Sequence, residues 1–115
     1  MFKFEELRVY QEAVQLASNI YSQTKSWPKE EIFGLTNQLR RAGVSISLNI
    51  AEGSSRTQKD FCHFLDLSRG SCYECVAIIT IAKKQNYLDG ELFSTMYDKC
   101  ESLSKMLSAL KNSLK

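Results

Sequence analysis

Apolar residues along the chain recur at intervals of three and four, the spacing that places side chains on one face of an α-helix. The pattern is cleanest near the C-terminus, where a helix is predicted to begin after Asp89 and to run to about Leu114. Its heptad seam consists of Phe93, Met96, Cys100, Leu103, Leu107, Leu110 and Leu114. Four segments of this kind with short links predict an all-α fold, an up-down-up-down four-helix bundle. Residues 1–115 are predicted to form a single domain.

The first predicted helix runs from about Glu5 to Lys25. Its main apolar stripe, the predicted core-facing side, consists of Tyr10, Ala13, Val14, Ala17, Ile20 and Tyr21. Val9 and Leu16 lie off this stripe and suggest a second contact surface. The helix is expected to end before Pro28, because the residue preceding a proline is pushed out of the helical region.

The second predicted helix has Pro28 in its first turn and runs to about Gly53. Its apolar positions are Leu35, Leu39, Ala42, Ile46 and Ile50 on one stripe, and Val44, Leu48 and Ala51 on a second. From residue 42 onward little of the circumference is polar, which is typical of a helix covered on most sides. Gly34 and Gly43 each cost this helix up to about 1 kcal/mol, a cost tolerated where another backbone comes close. We therefore expect a central helix or one covered by identical subunits, with the bundle assembled into a homo-oligomeric ring.

Polar residues of the second predicted helix form a line of their own. Arg41, Ser45, Asn49, Glu52 and Arg56 follow one another at steps of three or four residues, which places them along one side. Glu52 can pair with Arg56 one turn further on. We predict that this polar stripe lies at or beside an oligomer interface.

The adjacent arginines Arg40 and Arg41 have three interpretations. Both can lay their apolar stems over the bundle and keep their charged heads in water. Arg41 can instead make charged contacts across a subunit interface, together with Asn49 and Glu52. Finally, Arg40 and Arg41 can contact nucleic-acid phosphates, and a ring would then gather the arginines into a positive field that one chain lacks.

The third predicted helix spans about Gln58 to Gln85, and Thr57 is predicted to cap its start. Its apolar stripe consists of Phe61, Leu65, Ser68, Cys72, Cys75, Ile79 and Ala82. In the middle of this helix, Gly70 and Ser71 form a small-residue site where another helix could pack tightly.

Cys72 and Cys75 form a CxxC sequence on the apolar stripe of the third predicted helix. Redox sites usually place such a thiol at a helix N-terminus, and a zinc site needs two further ligands. Cys62, Cys100 and the single histidine, His63, supply no second ligand pair at close spacing. We therefore predict that the thiols pack in the core, and we assign no metal, cofactor or catalytic residue. Phosphate-binding and hydrolase motifs are also missing from the sequence.

Composition narrows the function only slightly. The net charge is +2, and the charged residues are spread evenly along the chain. The pI is about 8.3, whereas nucleic-acid-binding domains often have a pI above about 9. No stretch reaches the ~20 apolar residues of a membrane span, and the N-terminus lacks a signal-peptide core. A cytoplasmic location with reduced thiols is the resulting expectation.

A longer pattern in the chain resembles a known signature. It comprises Glu30, Gly34-Leu35, Gln38-Leu39-Arg40-Arg41-Ala42, Ser45-Ile46, Asn49-Ile50-Ala51-Glu52-Gly53 and Arg56, and it continues through Phe64-Leu65, Gly70-Ser71, Glu74 and Ile81-Ala82. These residues resemble the small bacterial four-helix-bundle proteins, also called 23S ribosomal RNA intervening-sequence proteins. The resemblance implies a cytoplasmic bundle that assembles into a homopentamer. That family is similar to the accessory protein of diversity-generating retroelements, a basic pentameric barrel that binds nucleic acid and a reverse transcriptase.

Two functional hypotheses result. The first is a non-enzymatic, homo-oligomeric scaffold that binds RNA or a ribonucleoprotein through arginines clustered by ring symmetry. The alternative is a protein-interaction module that receives partner helices on its exposed apolar stripes and binds no nucleic acid. Phosphate binding weakens steeply with ionic strength and helix-groove binding does not, so salt dependence separates the two.

Overall fold

The computed structural model describes residues 1–115 and contains four α-helices and no strand. They are α1 (Arg8–Thr24), α2 (Leu35–Ser54), α3 (Gln58–Lys84) and α4 (Gly90–Ser113). The molecule measures 42 × 22 × 21 Å, and α3, with 27 residues, is long enough at ~1.5 Å per residue to span its length. Because short links join helices that run along the long axis, consecutive helices are antiparallel. The all-α bundle predicted from the sequence is therefore confirmed.

Helix α2 is the central element of the bundle. It packs against both α1 and α3, and α4 closes the bundle against α3 and α1. The predicted core stripes of α2, α3 and α4 are confirmed. Their fully buried members include Leu39, Ile46, Ile50, Leu65, Cys72, Cys75, Ile79, Cys100 and Leu107.

The predicted face of the first helix was wrong in part, since Ala13 and Ile20 are buried as expected but other members of the stripe are not. Val9 and Leu16, placed off the stripe by the sequence pattern, are buried with exposures of 5% and 1%. Val14 and Tyr21, placed on the stripe, are 43% and 46% exposed. The cause is a close approach to α2, which fixes the rotation of α1 and leaves Val14 and Tyr21 at the edge of the bundle. The exposed apolar surface of α1 is therefore formed by Val14 and Tyr21, and not by Val9 and Leu16 as the sequence pattern suggested.

The starts of the first two helices also differ from the prediction. Leu7 is extended (φ −71°, ψ 125°), so α1 begins at Arg8 and a short 3-10 helix, Lys3–Glu6, precedes it. Pro28 leads into a second 3-10 helix, Lys29–Glu31, and the chain bends at Gly34 (φ −114°, ψ −119°) before α2 begins. Gly34 is thus a cap residue, and the helical cost expected there does not arise.

One carboxylate accounts for the delayed start of α2. Glu31 Oε1 accepts a hydrogen bond from the Leu35 backbone N–H at 3.1 Å, which satisfies one of the free donors of the first turn. Glu31 Oε2 accepts a hydrogen bond from the Tyr87 hydroxyl at 2.9 Å, and this bond raises the pKa of the Tyr87 phenol. The Tyr87 ring packs on buried Trp27 with their centroids 5.7 Å apart. The α1–α2 link is thereby fastened to the α3–α4 link.

The predicted boundaries of the last two helices are confirmed. The Thr57 hydroxyl accepts from the Asp60 N–H at 3.2 Å, and the Asp89 carboxylate accepts from the Leu92 N–H at 2.8 Å. Asn86, two residues after the end of α3, has a left-handed φ of 64°, a conformation that commonly ends a helix. None of the four helices combines the length and hydrophobicity of a membrane span.

Two glycines of α2 permit close helix contacts. A Cβ at Gly43 would lie 2.6 Å from Ile20 Cδ1, and a Cβ at Gly53 would lie 2.6 Å from Phe64 Cβ. The expected close approach at Gly43 is thus present. At Gly70, by contrast, an added Cβ would meet nothing within 4 Å, so no helix of the same chain packs against this residue. Ser71, the other member of the small-residue site, is buried and contacts α2.

Truncation of a core leucine tests the assignment of the buried stripes. Leu39→Ala or Leu103→Ala should lower the free energy of unfolding by roughly 2–5 kcal/mol, because each leaves a cavity in the core. Leu114→Ala, at the partly exposed C-terminal end of α4, is the matched control and should lower the free energy of unfolding clearly less. Denaturant titration followed by circular dichroism measures all three. A loss below about 0.5 kcal/mol at both core sites would contradict the stripes.

Candidate functional site

The predicted polar stripe lies along the outer surface of α2. Its first four residues, Arg41, Ser45, Asn49 and Glu52, line a shallow groove that α2 forms with α1 and the link before α2. The other lining residues are Tyr21, Ile32, Phe33, Asn37, Arg40, Val44 and Leu48. We call this surface the α1–α2 face. Arg56 lies just beyond the end of α2 and outside the groove.

Apolar side chains of the α1–α2 face are unusually exposed. Phe33 is 92% exposed and Leu48 is 61% exposed, while Tyr21 and Ile32 are each 46% exposed. Such a cluster beside charged residues is typical of an interaction surface. The sequence pattern indicated the part of this cluster that lies on α2. It missed Ile32, Phe33 and Tyr21, because their exposure depends on the path of the link and on the rotation of α1.

Arg40 joins α2 to α1. Its Nε donates a hydrogen bond to Thr24 Oγ1 at 2.9 Å, and its guanidinium carbon lies 4.7 Å from the centre of the Tyr21 ring. The Thr24 hydroxyl in turn donates to the Ile20 carbonyl oxygen at 2.7 Å. The head of Arg40 is therefore fixed on a neighbouring helix. Its contact with nucleic acid stays a prediction.

Arg41 is placed differently from its neighbour in sequence. It is exposed, and it makes no ion pair or side-chain hydrogen bond within the chain. Besides the α1–α2 face, it borders a second groove, between α2 and α3, whose lining includes Ser45, Ser71 and Glu74. Arg41 thus presents an unpaired charge at the ridge between two surface grooves, which suits either a subunit contact or a phosphate contact.

The remaining polar residues of the stripe are bonded to one another. Asn49 Nδ2 donates to the Ser45 carbonyl oxygen at 2.9 Å and to Ser45 Oγ at 3.0 Å. The Ser71 hydroxyl donates to Ser45 Oγ at 2.9 Å, which links α3 to the same network. The expected pair of Glu52 and Arg56 is present, with the two charged groups 3.3 Å apart. Only Arg41 among the five therefore keeps its full bonding capacity for a partner.

Three thiols pack between α3 and α4, as the sequence predicted. Cys72, Cys75 and Cys100 are all buried. Burial raises the pKa of Cys72 to about 12. The hydrogen bond from Cys75 to Cys100, together with burial, raises the pKa of Cys75, and the same bond lowers that of Cys100. Cys72 and Cys75 are therefore held as neutral thiols, which are poor nucleophiles, so the CxxC sequence acts as core.

The arrangement of four antiparallel helices places the protein among the all-α four-helix bundles. Residues 5–109 match the sequence profile of the family described as 23S rRNA-intervening sequence protein. The chain belongs to this family, as the resemblance in its sequence indicated.

A solved structure supports the fold. The chain is similar to a crystal structure from Bacteroides thetaiotaomicron, a protein of unknown function from the S23 ribosomal protein family, with a TM-score of 0.83. The match covers 90% of this chain and 95% of the other at 19% sequence identity, so it establishes the common fold alone. Among proteins with curated functions, none matches the chain.

Thiol reactivity tests the packing of the cysteines. At pH 8, Ellman's reagent should modify Cys62 fastest, because it is partly exposed, whereas the other three thiols are buried. Because burial raises the pKa of Cys72 to about 12, only a very small fraction of this thiol is ionised even at pH 9, so its modification should stay far slower than that of Cys62 throughout the range from pH 7 to 9. Unfolding in guanidinium should make all four react alike. The variant Cys62→Ser should lose the fast phase; rapid modification of Cys72 in the folded variant would contradict the packing.

Proposed function

We propose that this protein is a non-enzymatic, homo-oligomeric scaffold whose subunits associate through the α1–α2 face into a closed ring, with a homopentamer as the expected form. The observation that carries the proposal is the exposure of Phe33 and Leu48 beside the unpaired Arg41. Burial of one large apolar side chain contributes about 1.5–3 kcal/mol. A few such anchors in each contact supply a sizeable part of the free energy of association.

The charges of the α1–α2 face favour contact with a different surface of the next copy. Arg40 and Arg41 are its cations, and its one anion, Glu52, is already paired with Arg56. A twofold contact would bring two positive faces together, which repel. A heterologous contact with a less basic surface avoids this cost, and such contacts produce rings when they close.

Ring symmetry supports a role in RNA recognition. One chain of net charge +2 has little electrostatic hold on a phosphate backbone. A ring of five would repeat Arg40 and Arg41, giving about ten guanidinium groups in a local positive field. The family description names an intervening sequence of 23S rRNA, so a fragment of that RNA is a suitable first probe. The proposed ligand is therefore RNA or a ribonucleoprotein, bound at the arginine-bearing rim of each contact.

The apolar character of the same face favours a second candidate. A shallow groove flanked by Phe33 and Leu48 suits the apolar side of an amphipathic helix from another protein. In that case the protein is an interaction module that binds no nucleic acid. The two candidates differ in their salt dependence, since only phosphate contacts release counterions.

The state of assembly tests the scaffold. Light scattering after size-exclusion chromatography should show the wild-type protein as a closed oligomer at micromolar concentration. Arg41→Glu should weaken assembly and leave the helical circular-dichroism signal intact, because this exposed side chain supports no contact within the chain. Lys105→Glu, the same charge reversal at an exposed site on α4, is the control and should assemble normally. A monomeric wild-type protein would refute the scaffold.

Salt dependence tests RNA recognition. The affinity of the oligomer for a labelled 23S rRNA fragment, measured by fluorescence anisotropy, should fall by roughly 1,000-fold or more between 50 and 200 mM salt if a ring makes about six or more phosphate contacts. Arg41→Glu also perturbs assembly, so the RNA affinity of the milder variant Arg41→Gln is compared with that of the wild type. Both are measured at concentrations where light scattering shows an intact oligomer. Arg41→Gln should bind more weakly with a smaller salt slope. An oligomer that binds no RNA at 50 mM salt would leave the protein-interaction module as the function.

A further inference from the structure

No contact within a single chain explains why residue 70 is a glycine. A glycine inside a helix destabilises it relative to alanine, because its backbone loses more freedom on folding. At Gly43 and Gly53, packing of α2 against its neighbours accounts for the missing side chain. At Gly70, in the middle of α3, the space that a Cβ would occupy is open. The missing side chain therefore points to a surface that approaches from outside the chain.

The surroundings of Gly70 form a mixed apolar and acidic surface. Leu67 and Ile81 are 44% and 50% exposed, and Glu74 is exposed one turn after Gly70. Their spacing places Leu67, Gly70, Glu74 and Ile81 on one side of α3. We call this surface the α3 outer face. Glu74 makes no ion pair within the chain, so the face presents an unpaired negative charge between apolar residues.

Contacts between α2 and α3 show which residues of the two helices lie at the same height along the bundle axis. Ser71 Oγ donates to Ser45 Oγ at 2.9 Å, and Ser68 Oγ donates to the Ile46 carbonyl oxygen at 2.8 Å. Mid-α3 is therefore level with mid-α2. Because the two helices are antiparallel, each further turn towards the C-terminus of α3 matches one turn towards the N-terminus of α2.

This register aligns complementary groups on the two faces. Arg41 and Glu74 each lie one turn from the contact between Ser45 and Ser71, so they lie at the same height along the bundle. Their charges are opposite, and neither is paired within the chain. Leu48, on the other side of that contact, lies within about a turn of the heights of Gly70 and Leu67. In a ring whose axis is parallel to the bundle, neighbouring copies keep the same height. A group on one copy then meets groups of the next copy that lie within about a turn of its own height.

We propose that the α3 outer face is the surface that receives the α1–α2 face of a second copy. In this contact Leu48 packs over the open space at Gly70, and Arg41 pairs with Glu74 of the next copy at the rim, where a guanidinium group with five N–H donors still has donors left for a phosphate. The inference rests on the proposed oligomeric scaffold and adds the opposing half of its interface. Opposite charges at equal height, beside a projecting leucine and a glycine, argue for a second copy as the occupant.

The placement of the two faces also favours closure. The α1–α2 face and the α3 outer face lie on adjacent sides of the bundle, because α2 stands between α1 and α3. Faces on opposite sides would stack copies in an open row. Faces on adjacent sides turn each copy relative to the last, as a closed ring requires.

Charge exchange between the faces tests the pairing. Arg41→Glu and Glu74→Arg should each weaken assembly at least ~10-fold, because each opposes like charges at the contact. The double variant Arg41→Glu/Glu74→Arg should recover much of the lost assembly, since it restores opposite charges. Glu101→Arg, the same reversal on exposed α4, is the control and should assemble like the wild type. Sedimentation velocity over a range of concentrations measures the association.

A steric change at Gly70 tests the contact independently. Gly70→Leu should fold, since its surroundings are open, and its unfolding temperature as a monomer should not fall, because leucine favours a helix. The leucine should nevertheless abolish assembly by filling the space that Leu48 occupies. Gly90→Leu, at the other glycine with open surroundings, is the matched control and should leave assembly intact.

The outcomes separate this inference from the scaffold itself. A wild-type protein that remains monomeric would remove both. A wild-type oligomer that tolerates Gly70→Leu, or whose charge-exchanged double variant assembles no better than the single variants, would retain the scaffold and overturn the α3 outer face as its contact. Loss with Gly70→Leu and recovery in the double variant would support the pairing.

Discussion

The close approach of α2 to both of its neighbours is the constraint on which the rest of the structure depends. Gly43 brings α1 onto the helix backbone at Ile20, and Gly53 does the same for α3 at Phe64. Ser68, buried between α2 and α3, replaces a bulky side chain with a hydrogen bond to a backbone carbonyl. Small residues at these crossings fix the rotation and height of each helix. The surface positions that remain outside, including those of the α1–α2 face, follow from that packing.

Much of this fold could be predicted from the sequence, because helical periodicity and capping are local. The heptad seam of α4, the caps at Thr57 and Asp89 and the buried stripe of α3 needed no knowledge of distant residues. The face of α1 could not be fixed in this way, since Ala13 and Ile20 belong to both possible stripes. The start of α2 depends on Glu31 and Tyr87, which lie 56 positions apart. Contacts at such a distance leave no periodic signal.

The candidate site shows the same division. The polar line on α2 could be predicted from spacing, but the different states of Arg40 and Arg41 could not. Adjacent residues on a helix point about 100° apart, so one guanidinium reaches Thr24 on α1 while the other remains unpaired at a ridge. The exposed Phe33 depends on a link whose path no repeat describes. The features that support an interaction surface are therefore mostly products of tertiary structure.

The fastening of the α1–α2 link has a consequence for Phe33. Glu31 holds the start of α2 with one oxygen and Tyr87 with the other, while Trp27 is buried against the Tyr87 ring. Phe33 therefore projects into solvent from a segment that is anchored at two points. A binding group on a loose loop must be ordered when its partner arrives, and that ordering subtracts from affinity. Here the backbone around the aromatic ring is preorganised, so more of the free energy of burying the ring remains available for association.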